Sequence, residues 1–119
     1  MNIKGDAYHV TYDPETATAV FQGSVRLLGV KDYETVKQLM DDIVTAAPET
    51  LTLDLRQLRF LNSLGTYLLM GFILKMRDNT SSHVIVHGLA GTHWQERAFG
   101  DLERLMPSIE LRWSEKAKP

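Results

Sequence analysis

The sequence predicts an α/β sandwich: a mixed β-sheet that opens with an N-terminal antiparallel hairpin and carries helices packed against it. Three observations lead there. Two opening segments alternate apolar and polar residues at period two on either side of Asp13-Pro14-Glu15, a turn signal. Three later segments place apolar residues at helical spacing, and a short strand-like run follows each of them. Strands separated by single helices imply right-handed crossovers into a parallel section, to which the hairpin adds an antiparallel edge.

In chain order, Tyr8, Val10 and Tyr12 alternate with His9 and Thr11, and Thr16 to Gly23 returns with Ala17, Ala19 and Phe21 against Thr18, Val20 and Gln22. A loop from Ser24 to Lys31 follows. Asp32 is placed to cap a helix on which Val36, Leu39, Met40, Ile43, Val44 and Ala47 share helical spacing, and Pro48 stops it. Leu51, Leu53 and Leu55 form a third strand, and RQLRFL after it reads as a short connection. A helix runs from about Ser63 to Arg77, before the turn cluster Asp78 to Ser82. His83 to His87 is a fourth strand. Thr92 and Gln95 have the spacing of a capping box, opening a helix through Trp94, Phe99, Leu102 and Leu105 that Pro107 ends. Ile109 to Trp113 is the last strand. Ser114 to Pro119 reads as a frayed polar tail, leaving 1–113 as a single domain.

Composition narrows the function. A chain of 119 residues is long enough for one core and too short for two, and 44% hydrophobic with 24% charged residues is the balance of an ordinary folded domain. Thirteen basic against fifteen acidic residues give no electrostatic footprint for nucleic acid or an anionic membrane. With no cysteine there is no disulfide and no thiolate metal site. The N-terminus lacks a signal-peptide pattern, and the longest apolar run, Tyr67 to Leu74, is far short of a bilayer span, so a cytoplasmic location is expected.

The most specific stretch is Leu51 to Met76. A strand passes through Asn62-Ser63-Leu64-Gly65 into a helix that is apolar on nearly every side, which puts the Ser63 hydroxyl at a helix's first turn. Two readings apply to that hydroxyl: a seat of regulation, or a cap for its own helix. Leu64, Leu68 and Phe72 lie on one side of the helix, Tyr67, Met70 and Leu74 on another, and Leu69 with Ile73 on a third. Either flanking helices cover all of them, or Tyr67, Met70, Gly71 and Leu74 form a patch for a partner. Phosphorylation of Ser63 would add roughly −1.5 to −2 charges, which a helix N-terminus tolerates and an apolar interface does not.

Other chemistries fit poorly. Ser63, His87 and Asp54 are the residue types of a hydrolase triad, but Asp54 and His87 fall inside strands and no Gly-x-Ser-x-Gly elbow exists. His83 and His87 share a strand face at about 13 Å, too far to share an ion. No Gly-rich phosphate loop occurs, so no nucleotide cofactor is expected. Trp94 and Trp113 read as core or core-edge aromatics.

The run Leu51-Thr-Leu-Asp-Leu, then Phe60-Leu61-Asn62-Ser63-Leu64-Gly65, then a helix beginning Thr66-Tyr67-Leu68-Leu69, resembles the STAS domains of bacterial anti-anti-sigma factors. The resemblance implies a switch protein that is not an enzyme and needs no cofactor. Its partner would be a serine kinase or anti-sigma factor of the histidine-kinase-like ATPase fold, which phosphorylates the serine at the Ser63 position. A PPM-type serine phosphatase would reverse the modification. Arg26, Asn62, Ser63, Leu64, Gly65, Tyr67, Met70, Gly71 and Leu74 are then the expected partner-binding residues. This chain departs from the family's usual form at three of them. Asn62 stands where an Asp is usual and keeps a capping group without the charge. Leu64 replaces a residue that is often small, and Arg26 stands where many members carry an acid. The alternative is a STAS-like scaffold that is not phosphorylated, with Ser63 only capping its helix.

Overall fold

The computed structural model describes residues 1–115. Along the chain run β1 (Asn2–Lys4), β2 (Tyr8–Asp13), β3 (Thr18–Val25), α1 (Val30–Ala46), β4 (Thr50–Leu61), α2 (Ser63–Asn79), β5 (His83–Leu89), α3 (His93–Leu105) and β6 (Glu110–Ser114). The strands form one sheet in the order β1-β2-β3-β4-β5-β6, antiparallel from β1 to β3 and parallel from β3 to β6. The mixed sheet with its N-terminal hairpin is thus the predicted one, with β1 as an additional edge strand.

Because the parallel strands step across the sheet in one direction, right-handed crossovers deliver all three helices to the same face. There α2 packs between α1 and α3. Tyr8, Val10, Ala19, Phe21, Leu51, Leu53, Leu55, Val84 and Val86 point from the strands into this layer and are buried, together with Val36, Leu39, Ile43, Ile73, Met76, Phe99 and Leu102 from the helices. The opposite face of the sheet carries His9, Thr11, Thr52, Asp54 and His87, and no helix covers it among the described residues.

Several boundaries depart from the sequence reading, each for a local reason. RQLRFL is the second half of β4, not a connection. It pairs with β3 through two register shifts, between Val20 and Gln22 and between Gly23 and Ser24, and these break the alternation that marks a strand. Gly23 takes φ +84° at the second shift, where the Ser24 amide donates to the Ala7 carbonyl at 2.9 Å. Ala17 lies in the hairpin turn at φ 50°, and Ala47 is the left-handed C-cap of α1 at φ 44°, so neither belongs to an apolar face. Gly29 is the N-cap of α1, which leaves Asp32 in the first turn beside the helix's positive end. Helix α2 runs on to Asn79, so the turn cluster is shorter than expected. Ser114 belongs to β6, and 116–119 of the expected frayed tail lie outside the described residues.

The capping box at Thr92 does not form. Thr92 is the N-cap position but makes no side-chain cap bond, and Gln95, which would return a bond to the Thr92 amide, is instead turned inward and is 1% exposed. β4 and β5 pair only as far as Asp54 opposite His87. Past that point the strands part, and the Gln95 amide stands in for the missing ladder. Its Nε2 donates to the Leu55 and Leu58 carbonyls of β4, at 2.8 and 3.0 Å, and its Oε1 accepts from the Leu89 amide of β5 at 2.9 Å.

Candidate functional site

At the carboxyl end of β4 the chain turns sharply into α2. The Asn62 amide donates to the Val25 carbonyl at 3.2 Å, fixing the turn to the end of β3. Asn62 Oδ1 accepts from the Gly65 amide at 2.9 Å, and the Thr66 hydroxyl donates to the Asn62 carbonyl at 3.0 Å. The cap of α2 is therefore Asn62 and not Ser63, which corrects the scaffold reading in which Ser63 capped the helix. Gly65 is buried. A Cβ there would stand 2.6 Å from Leu61 Cδ1, so the glycine lets the first helical turn close against the end of the strand.

Ser63 is the first residue of α2, exposed, and none of the hydrogen bonds that build the turn uses its hydroxyl. No acidic residue stands in the helix's first turn. An added phosphoryl group at this position would face the positive end of the helix without a neighbouring acid on α2 to repel it.

An outward stripe of α2 continues from Ser63. Tyr67 is 77% exposed, Leu64 about half that, and Met70, Gly71 and Leu74 are partly buried. Flanking helices cover the rest: Leu68, Leu69, Phe72, Ile73 and Met76 are buried. The uncovered side of the helix is therefore centred on Leu64 and Tyr67, with Met70, Gly71 and Leu74 at its margin. Leu61, Ser63, Thr66, Tyr67 and Met70 line a shallow groove of about 420 Å³. On its other side Tyr67 borders a hollow of about 200 Å³ between α1 and α2, with Tyr33, Met40 and Gly71. Asp41 closes that hollow, accepting from Lys37 and Lys75 at 2.8 and 2.9 Å. These hydrogen bonds hold its carboxyl below the usual carboxylate range.

Arg26 lies one residue beyond Val25, beside the Asn62 turn, and its guanidinium sits 4.5 Å over the Phe60 ring. Phe60, Leu28 at 84% and Val30 at 79% exposure are exposed apolar residues that were not among the expected contacts. Leu28 and Val30 fall in a segment that reads as loop, where no periodicity separates a buried leucine from an exposed one; neighbouring Leu27 is buried.

Of the triad residue types, Asp54 and His87 are cross-strand neighbours on β4 and β5, but Ser63 does not join them. Asp54 is held by a bidentate pair with Arg56 at 2.8 and 2.9 Å, and His87 Nε2 lies 2.6 Å from Ser114 Oγ. Ser63 stands beyond the end of β4, roughly 20 Å further at strand rise. His83 pairs with Glu110, and no His, Asp or Glu cluster able to hold a metal occurs among the described residues. Among the described residues no helix is long and apolar enough to cross a membrane.

No protein-family model matches the sequence, and no curated protein matches it. Solved structures do resemble it in fold. A chain of the complex of the diguanylate cyclase SiaD with its activator SiaC, from Pseudomonas aeruginosa, superposes with a TM-score of 0.73 at 13% identity, covering 98% of this chain and 99% of that one. A second structure of SiaC from Pseudomonas aeruginosa gives the same TM-score and identity over 98% of both chains. An anti-sigma factor antagonist from Mycobacterium paratuberculosis superposes with a TM-score of 0.62 at 17% identity, over 90% of this chain and 88% of that one. The protein therefore has a STAS-like fold.

Proposed function

We propose that this protein is a partner-switching regulator whose Ser63 surface binds a protein partner and is gated by phosphorylation of Ser63. The observation that carries the reading is the exposed Ser63 hydroxyl, unused by the helix cap, at the head of a stripe that leads into exposed Tyr67. Leu64, Tyr67, Met70 and Leu74 supply apolar contact, and Arg26 with Phe60 supplies an aromatic and cationic element at the edge. A phosphoryl group on Ser63 leaves the fold undisturbed and puts its charge into that contact. Burying the charge unpaired costs a few kcal/mol, and about 1.4 kcal/mol is tenfold in affinity, so release spans roughly two decades or more.

By resemblance to anti-anti-sigma proteins, the partner is a serine kinase or anti-sigma factor of the histidine-kinase-like ATPase fold, opposed by a PPM-type phosphatase. The likeness to SiaC, an activator found in complex with a diguanylate cyclase, favours a second output in which the unmodified protein binds and activates an enzyme of that kind. The test uses Ser63→Ala, Ser63→Asp and Tyr67→Ala baits in source-cell lysate, with captured proteins identified by mass spectrometry. The alanine bait at Ser63 retains a partner that the other two lose, and the partner's identity separates the two outputs. Equal capture by all three baits rules out a gate at this surface.

A further inference from the structure

We propose that the crevice where β4 and β5 part is a second binding site, for a small organic anion with a flat apolar body. The crevice lies away from the groove at Ser63 and shares none of its lining residues. At about 710 Å³ it falls in the range of small-molecule sites. It exists because the β4–β5 ladder stops at Asp54 and His87 while both strands continue. The buried Gln95 amide closes its floor, with each of that amide's groups already satisfied by the backbone.

The lining sets the ligand's charge. Arg56 and Arg59 stand on the β4 side, and no Asp or Glu lines the crevice. Arg56 commits Nε and one Nη to Asp54, which leaves its other Nη available. Arg59 is exposed and forms no ion pair among the described residues, so the crevice carries a net positive charge in a chain whose total is −2. A guanidinium with open donors matches a carboxylate or a phosphate. Trp94 of α3, Leu89 of β5 and Leu58 of β4 supply an apolar wall, and apolar atoms make up most of the exposed lining. An inorganic anion leaves that wall wet, whereas a flat group carrying the anion covers it.

The indole N–H of Trp94 reports on the crevice, whereas Trp113 is stacked on Phe99 and does not line it. The experiment is a nitrogen-15 NMR titration of the whole chain with phenyl phosphate, benzoate and inorganic phosphate, following the Trp94 indole signal. Phenyl phosphate or benzoate is expected to give a saturable shift. Binding should weaken about tenfold or more in Arg59→Gln and stay unchanged in Arg112→Gln, an open-face arginine outside the crevice. Whichever aryl probe binds more tightly identifies the anionic group as phosphate or carboxylate. The proposal is overturned by any of three results: no saturable shift with either aryl probe, equal binding by Arg59→Gln, or inorganic phosphate binding as tightly as phenyl phosphate. Because Arg59 is exposed, loss of folding does not account for its effect, and a dispersed spectrum of the variant confirms that.

Discussion

Replacing Gln95 by Met removes one amide from the interior and nearly nothing else, since the two side chains have similar volume and similar helix propensity. The cost follows from what the amide does. Three backbone groups, the Leu55 and Leu58 carbonyls and the Leu89 amide, lose their partner at a residue that is 1% exposed. An unsatisfied buried group costs about 1–3 kcal/mol, so three dry groups would cost about 3–9 kcal/mol together. The crevice beside them admits water to some of these groups, which places the expected loss near the lower end, at about 3–5 kcal/mol. Against the 5–15 kcal/mol typical of a domain, this is a large fraction. In urea, with a slope of roughly 1.5 kcal/mol/M, the unfolding midpoint by circular dichroism should fall by about 2–3 M. Hydrogen exchange should show the Leu89 amide losing protection before the rest of β5. A midpoint shift below about 0.5 M, or unchanged protection at Leu89, would refute the role of Gln95 as the bridge between the parted strands.

Other outcomes follow from the same geometry. Asn62→Ala should lose about 0.5–2 kcal/mol of stability by denaturant unfolding, whereas Ser63→Ala should stay within about 0.5 kcal/mol; the reverse order would make Ser63 the cap after all. Gly65→Ala gains helix propensity but drives a methyl to within 2.6 Å of Leu61 Cδ1, so a net loss of about 1–2 kcal/mol is expected, and a gain would show that the strand end yields easily. Burial, and then the Arg56 and Arg112 guanidinium charges, hold His87 below its ordinary range against the opposing pull of Asp54, while hydrogen bonding from Arg56 depresses Asp54. Both folded values lie below the unfolded ones. The His87 contribution is therefore complete above about pH 6.5 and is lost as pH falls through its depressed value, and that of Asp54 fades further down, below about pH 4. Thermal midpoints measured from pH 8 to 3 should decline in two stages, and His87→Gln should remove the upper one; an unchanged upper stage assigns it to another group.

The alternation of Tyr8 and Val10, of Ala19 and Phe21, and of Leu51, Leu53 and Leu55 was enough to place the buried faces of three strands, because most of it lies in regular ladder. Legibility failed where the ladder is irregular. Arg56 and Gln57 are consecutive exposed residues inside β4 because the register slips there, and a period-two pattern cannot survive a slip. β1 has only three residues, Asn2 to Lys4, too few for a pattern to show. At Thr92 the spacing was that of a capping box, but the interior needed a hydrogen-bonding amide more than the helix end needed a cap, and Gln95 turned inward. The Ser63 turn was visible because local chemistry alone builds it: a short polar cap, a serine and a glycine. What joins that turn from a distance, the Arg26 guanidinium over Phe60 and the outward Leu28 and Val30, depends on tertiary placement that no local pattern encodes.

In this sheet every strand lies beside the one that precedes it in the chain. Such a molecule can be assembled in the order in which it is synthesised, each new strand and helix docking on a surface already made, with no early segment waiting for a late one. The residues around Ser63 fall between 26 and 74, all of them synthesised before α3. Gln95 arrives afterwards as a latch on strands already laid down. The turn and its stripe are thus encoded ahead of the amide that ties β4 to β5, and the last third of the sequence contributes to how firmly they are held.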